Sequence, residues 1–255
     1  MGIKTTFLGA AVAAFAYSLP ALAVTISIDT NVNVAQGEAL RSTFLSGSSN
    51  SATVVEDFES FTACDGSNAG SCSATPLNTK VGQFQGIDGA VIGTSPVAPL
   101  DEAVIRGVDQ SGRFNTTAGG SNYIDSNDQK GIKLVMPGNF PEFDRMSFFL
   151  MDIDDVANFD FRITARIGPN NATDLDAVTN SQTWGSGTLH LVNIDFGQNV
   201  TAANVRMFNL TEEADGFGMD DFYVAAVPLP AGGLLLLTAL GGLGFASRKR
   251  KTTQA

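Results

Sequence analysis

The sequence predicts an antiparallel β-sandwich, on three observations. Many short segments alternate apolar and polar residues, turn-forming residues separate them, and away from the termini a helical period is confined to residues 36–45. In the clearest segment, 159–167, every second side chain is apolar, so one face of that strand is expected to lie in the core and the other in solvent. Many short strands at such spacing are typical of two packed sheets.

The predicted strands follow one another through a domain that spans residues 24–226. Fifteen of the 18 phenylalanines lie between residues 24 and 231 and are expected to form most of its core. Turns are expected at Pro-Gly-Asn (137–139) and Gly-Pro-Asn-Asn (168–171). In chain order the strands are expected at 24–34, 52–61, 81–84, 90–92, 103–108, 132–136, 145–151, 159–167, 188–196, 204–210 and 221–224.

The charge balance argues against nucleic acid as a partner. The chain of 255 residues has 15 Lys and Arg against 26 Asp and Glu, and five of the basic residues lie at the two ends. The remaining ten leave the middle of the chain at about −16, which repels phosphate backbones. One histidine and two cysteines are also too few for zinc clusters or iron–sulfur centres.

Residues 1–23 have the layout of a secretory signal peptide. One lysine precedes a short apolar run, and Ala-Leu-Ala ends the segment, so signal peptidase is expected to cleave after Ala23. The alternative is a membrane helix that stays attached, but the apolar run is shorter than the ~20 residues that a bilayer core requires. The domain is therefore expected to be exported through the inner membrane.

Residues 227–251 combine a proline-containing motif, an apolar helix and a basic cluster. Fifteen residues, 232–246, span about 22 Å as a helix, somewhat less than the ~30 Å hydrocarbon core, and are expected to lie transiently in the membrane. The positive-inside rule keeps the basic cluster cytoplasmic and the preceding domain outside; the alternative is a buried core helix. The motif is Val227, Pro228, Leu229, Pro230 and Ala231, and the basic cluster is Arg248, Lys249, Arg250 and Lys251.

These three parts, in this order, resemble the VPLPA variant of the PEP-CTERM sorting signals of Gram-negative bacteria. The resemblance covers only about the last 25 residues. It implies that an exosortase, a membrane-embedded cysteine protease, cuts near the motif. It also implies release to, or attachment at, the cell surface, often in bacteria that make extracellular polysaccharide.

The two cysteines, Cys64 and Cys72, enclose a short polar loop. In an exported protein this spacing predicts a disulfide. The alternative is a reactive or metal-binding thiol pair, although no basic residue and no third ligand lies nearby in the sequence.

Two acidic groups are candidate calcium ligands. On a strand, Asp57 and Glu59 would point to one face about 6.6 Å apart, and Asp220 would share the core face of the last strand with Phe222. Carboxylates at the end of a sandwich are the hard oxygen ligands that Ca²⁺ accepts. The alternative is that they are solvated surface carboxylates, the interpretation favoured for a third group, Asp152, Asp154 and Asp155.

The acidic arrangement also resembles jelly-roll domains of the carbohydrate-binding and galactose-binding-like type. That resemblance implies a structural calcium ion held by Asp57, Glu59 and Asp220. Asp221 would be a weaker ligand because it is expected to face the opposite way. The likeness rests on short acidic clusters and not on a long match.

Catalytic groups are scarce. His190 alone could serve as an imidazole base, and its strand position predicts an exposed structural role; no nucleophile elbow is present. The sequence therefore predicts a non-catalytic cell-surface or matrix protein with a structural or adhesive role linked to exopolysaccharide. A lectin-like module is the alternative, although Trp184, Tyr123 and Tyr223 are few rings for a sugar-binding platform. A polysaccharide-processing enzyme with two opposed carboxylates is a third candidate.

Overall fold

The computed structural model describes residues 24–50, 52–65, 72–87, 103–126, 131–153, 161–168, 187–209 and 216–227. They form twelve strands and one helix. In chain order these are β1 (Thr25–Asp29), α1 (Val34–Ser46), β2 (Ala52–Glu56), β3 (Leu77–Thr79), β4 (Gly82–Gly86), β5 (Val104–Arg106), β6 (Tyr123–Asp125), β7 (Gly131–Met136), β8 (Phe143–Met151), β9 (Phe161–Ile167), β10 (Leu189–Val200), β11 (Ala203–Asn209) and β12 (Gly218–Ala226).

The strands form two antiparallel sheets. The seven-stranded sheet has the order β1-β10-β8-β12-β6-β5, and β2 pairs with β12 beside β6. The five-stranded sheet has the order β3-β4-β7-β11-β9. Their inner faces share one hydrophobic core, in which the ring of Phe84 from the small sheet meets that of Phe222 from the large sheet at 5.0 Å. The predicted β-sandwich is confirmed.

Helix α1 covers part of the outer face of the large sheet. Asn33 and Gln36 form a capping box, each side chain accepting from the other residue's backbone N–H. Gly37 allows close approach, since a Cβ there would lie 2.2 Å from Cε1 of Phe149. The buried Arg41 guanidinium lies between the rings of Phe149 and Tyr223, at 4.4 and 4.2 Å from their centroids. The outer face of this sheet is therefore a second buried layer near α1.

Most predicted elements are present, with three kinds of difference. The helix expected at 36–45 and the strands expected between 132 and 224 are confirmed to within a few residues. The strand predictions at 24–34 and 52–61 are too long, because α1 begins at Val34 and β2 ends at Glu56. Strands β3 and β6, of three residues each, were not predicted because they are too short to show a period. The strand expected at 90–92 lies outside the described residues.

The two terminal predictions also lie outside the described residues, apart from Val227. Within the part of the chain that the structure describes, no helix has the length and hydropathy needed to span a membrane.

Candidate functional site

The candidate site begins at a β-bulge in β12. Pairing with β8 shifts between Asp220 and Tyr223, and Asp221 has a φ of 51°. Asp220 pairs with Phe149, which faces the outer layer under α1, whereas Phe222 lies in the central core. The prediction that Asp220 shares the face of Phe222 is therefore wrong, since the bulge adds one residue to the alternation.

Both aspartates of the bulge bind the same loop. The Asp220 Oδ2 atom accepts hydrogen bonds from the Thr116 backbone N–H at 2.7 Å and from its hydroxyl at 2.9 Å. The Asp221 carboxylate lies 2.9 Å from the same hydroxyl oxygen and accepts from the Thr117 hydroxyl at 2.6 Å. The expectation that Asp221 faces away from Asp220 is therefore also wrong, and the two carboxylates meet at Thr116.

Glu59 joins this cluster from the segment after β2. Its Oε1 atom accepts from the backbone N–H groups of Ser121 and Asn122, both at 2.8 Å, and from the Asn115 amide at 2.9 Å. The same Asn115 nitrogen lies 3.3 Å from Asp220 Oδ2. One amide therefore connects Glu59 to Asp220.

Asp57 lies apart from this cluster. The segment after Glu56 is not a strand, and Phe58 has a φ of 56°, so the alternation expected for Asp57 and Glu59 does not apply. The Asp57 carboxylate is instead 3.5 Å from the Lys80 ammonium group. Of the four predicted calcium ligands, the structure brings together Glu59, Asp220 and Asp221.

The electrostatics of the cluster centre on Asp220, which is fully buried. Burial raises the pKa of this carboxyl well above its usual range, and the neighbouring Asp221 charge raises it further. The hydrogen bonds from Thr116 oppose these effects without reversing them. A positive group beside Asp220 would therefore be favourable.

The oxygen atoms of this cluster are chemically suited to bind a hard cation, but they are not arranged as a formed metal centre. They belong to carboxylates, threonine hydroxyls and a backbone carbonyl, the ligand types that Ca²⁺ prefers. As they stand, the described residues contain no group of three or more Asp, Glu, His or Cys side chains that could hold a metal ion. Calcium binding stays a prediction.

A buried ionic network lies near the same loop. Asp125 binds Arg106 at 3.0 Å and Arg113 at 3.1 Å, and the Arg113 Nε atom lies 3.7 Å from Asp152. Asp152 also accepts from the Gly187 backbone N–H at 2.8 Å. The interpretation of Asp152 as a solvated surface carboxylate is therefore wrong, since it is buried and paired; Asp154 and Asp155 lie outside the described residues.

Cys64 and Cys72 form the predicted disulfide. The Cys64 backbone N–H donates to the Ile105 carbonyl, which places the disulfide beside β5 at the edge of the large sheet. Next to it, the Asp65 carboxylate accepts from the Gly107 backbone N–H at 2.6 Å. The alternative of a free thiol pair does not apply to this structure.

His190 is buried and not exposed. It pairs with Leu150 on the core side of β10, and its Nε2 atom lies 2.7 Å from the Thr188 hydroxyl. Burial lowers the pKa of its imidazole to about 4. An exposed His190 follows only if Leu189 and Leu191 lie in the central core, whereas they belong to the outer layer near α1.

Sequence patterns do not indicate that residues 115–117 and 122 are partners of the acidic groups. They lie about a hundred residues from Asp220, and no periodic pattern connects them. The polar run Asn-Thr-Thr before Gly119 is the one local signal in this loop, and it is equally typical of a turn.

Comparison with known proteins places the chain in no family. No family model and no curated protein matches it. Among solved structures it is similar to the K1 cleaved adhesin domain of Lys-gingipain from Porphyromonas gingivalis W83, with 13% sequence identity and a TM-score of 0.30. That likeness covers 69% of this chain and 99% of the other, and at this TM-score it bears on neither fold nor function.

Proposed function

We propose that this protein is an exported, non-catalytic component of the cell surface or extracellular matrix, with a structural or adhesive role linked to exopolysaccharide. The main observation in support of this proposal is the Cys64–Cys72 disulfide. Structural disulfides persist in oxidising compartments outside the cytoplasm. The proposal includes jelly-roll connectivity, supported by the pairing of strands distant in sequence, such as β1 with β10.

The proposed route has two processing steps. Signal peptidase removes residues 1–23, and the apolar segment 232–246 then holds the domain at the inner membrane until an exosortase acts at 227–231. The sequence features of the two termini support this route.

The contacts of the ionisable groups support a non-catalytic role. Asp125 and Asp152 are buried and paired with arginines, and His190 lies in the core. Glu59 and Asp220 accept hydrogen bonds that hold the loop at 115–122. These groups maintain the sandwich, which is the property that a structural or adhesive domain requires.

Calcium is part of the proposal as a structural ion. Glu59, Asp220 and Asp221 would hold it, with the Asn122 carbonyl nearby, and Asp57 would not take part. Bound there, the ion would neutralise the buried pair of aspartates and keep Asp220 ionised.

A lectin-like module is the second candidate, favoured by one groove. The groove has a volume of about 420 Å³ and lies where β10 begins next to the start of α1. Asn31, Asn33 and Thr188 supply amide and hydroxyl groups there, and Phe114 supplies a ring. Among the described residues, the lining carries no charged side chain, which suits a neutral sugar.

The proposal is tested by measuring both the C-terminal processing and the cellular location of the protein. The full-length gene product is expressed in a bacterium that has an exosortase, beside a Pro228→Ala/Pro230→Ala variant as the matched control. The expected result is that the wild-type protein reaches the cell surface or medium with a shortened C-terminus, while the variant stays at the inner membrane. Cytosolic wild-type protein with both thiols reduced contradicts the proposal, and release of reducing ends from exopolysaccharide contradicts its non-catalytic part.

A further inference from the structure

The two sheets differ sharply in charge. The strands of the five-stranded sheet contain no Asp or Glu. The strands of the seven-stranded sheet contain seven: Asp29, Glu56, Asp125, Asp144, Asp195, Asp220 and Asp221. Among the described strands, those of the small sheet therefore carry only basic and neutral side chains.

Four basic side chains lie together on the outer face of that sheet. Arg206 pairs with Lys133 on one neighbouring strand and with Thr164 on the other. Arg162 and Arg166 flank Thr164 on the same side of β9, about 13 Å apart at ~3.3 Å per residue. Strands in a sheet lie about 4.8 Å apart, so these groups form one patch. We call Lys133, Arg162, Arg166 and Arg206 the basic face.

The opposite side of the same strands confirms this orientation. Leu134, Ala165 and Val205 are paired across the sheet and are fully buried in the central core. Their neighbours along each strand must therefore point outward. The four basic side chains are accordingly only half-buried.

The basic face brings like charges together. Burial lowers the pKa of Arg206, and the nearby Arg166 charge lowers it further. The basic face is therefore complementary to an anion with several charges spread along it.

Amide side chains extend the basic face across the sheet. Asn78, Gln83 and Asn204 lie in the same cross-strand row as Arg166, and Gln85 lies in the row of Arg206 and Lys133. The Gln83 amide donates to Asn78 at 2.9 Å. The Asn204 amide donates to the Gly168 carbonyl at 2.9 Å. Each amide has two donor hydrogens and two acceptor lone pairs, so a ligand hydroxyl group can bind beside these partners.

We propose that the outer face of the five-stranded sheet binds an extended acidic polysaccharide, with the basic face contacting its carboxylates and the amide row its hydroxyls. The inference rests on the proposed adhesive function and names its partner class and surface. A flat face with cations in several rows suits a polymer. Phe208 is the one aromatic ring on the outward positions of these strands, whereas single-stranded nucleic acid is bound by stacking on several rings.

The test uses the full-length protein in a nonionic detergent and immobilised polygalacturonate, a linear polyuronate. Methyl-esterified polygalacturonate, with the same backbone and little charge, is the ligand control. Lys133→Gln is compared with Lys80→Gln, which removes the same charge from a lysine outside the basic face, and Arg206→Gln is added to Lys133→Gln. Melting temperature is measured for every variant, so that lost binding is separated from lost folding.

The expected result is binding to polygalacturonate that weakens with salt, and at most weak binding to the esterified polymer. Lys133→Gln is expected to weaken it about threefold and the double variant about tenfold, while Lys80→Gln changes it less than about twofold. Equal losses in Lys133→Gln and Lys80→Gln, equal binding of both polymers, or no binding at low salt overturns the inference.

Two other occupants of the basic face would overturn the inference. One is a second copy of this acidic chain, detected as salt-sensitive self-association that Lys133→Gln/Arg206→Gln removes, without polymer binding. The other is a membrane, detected as binding to phosphatidylglycerol vesicles without binding to polygalacturonate. If the double variant is exported and retained in native matrix as well as the wild type, this inference fails and the proposed function stands. Wild-type protein in the cytosol contradicts the proposed function whatever the polymer result.

Discussion

His190 makes the stability of this protein depend on pH in a way that one variant can isolate. It is the single histidine of the chain, and burial lowers its pKa from 6.5 to about 4. As the pH falls below 6.5, the unfolded chain binds a proton that the folded protein does not, so folding loses stability until the pH reaches about 4. At 1.36 kcal/mol per pKa unit, the loss amounts to about 3 kcal/mol.

Comparison of wild type with His190→Gln isolates this contribution. Urea unfolding of both proteins is measured at intervals from pH 7 to pH 4. At pH 7 the variant is expected to be less stable, because it disturbs packing beside Leu150. Only the wild type loses the contribution of the histidine as the pH falls. The difference in unfolding free energy between the wild type and His190→Gln is therefore expected to shrink by about 3 kcal/mol between pH 7 and pH 4.

Asp220 acts in the opposite direction, since its raised pKa makes the folded state bind the extra proton on acidification. That effect is common to both proteins and cancels in the comparison. A stability difference that stays constant between pH 7 and pH 4 would contradict a lowered pKa of His190 in the folded protein. So would an imidazole proton resonance of the folded protein that titrates near 6.5.

Three further predictions concern packing, the disulfide and calcium. Gly37→Ala is expected to lower the unfolding free energy by about 1–3 kcal/mol, because the added methyl group overpacks α1 against the sheet, and Gly138→Ala, which meets nothing within 4 Å, is its neutral control in urea unfolding. Cys64→Ser/Cys72→Ser is expected to cost about 2–3 kcal/mol, and a reducing agent should destabilise the wild type by a similar amount without affecting the variant. EDTA is expected to lower the melting temperature of the wild type and not that of Asp220→Asn; identical wild-type melting in calcium and in EDTA contradicts the calcium proposal.

The sequence was informative where one face of a strand meets the core and the other meets solvent. In β9, Ile163 and Ala165 are buried and Arg162 and Arg166 are half-buried, as the alternation predicts. In β10 the same rule failed, because α1 and nearby loops cover the outer face around Leu191 as well. A strand that is buried on both faces has no polar side from which its orientation can be read.

The candidate site depended on local departures from regular structure. The bulge at Asp221 moves Asp220 from the expected core side to the outer face, where both aspartates meet Thr116. The end of β2 at Glu56 separates Asp57 from Glu59. A one-residue shift moves every following side chain to the other face, and nothing in the sequence marks this one. Glu59, Asp220 and Asp221 share hydrogen-bond partners in one cluster, and these partners come from a loop distant in sequence.

The basic face cannot be predicted from the sequence, because it depends on the order of the strands in the sheet. Arg162 and Arg166 stand out on one strand, but Lys133 and Arg206 join them through the order β7-β11-β9. Strand order reflects long-range pairing, which alternation along one strand does not report.

The most direct test of export is the intact mass of the protein isolated from its native cells, measured after alkylation without reduction. We expect a chain that begins near Val24, ends near Val227 and takes up no alkylating agent, because Cys64 and Cys72 are bonded. A chain that begins at Met1, ends at Ala255 and carries two alkylated thiols would contradict it.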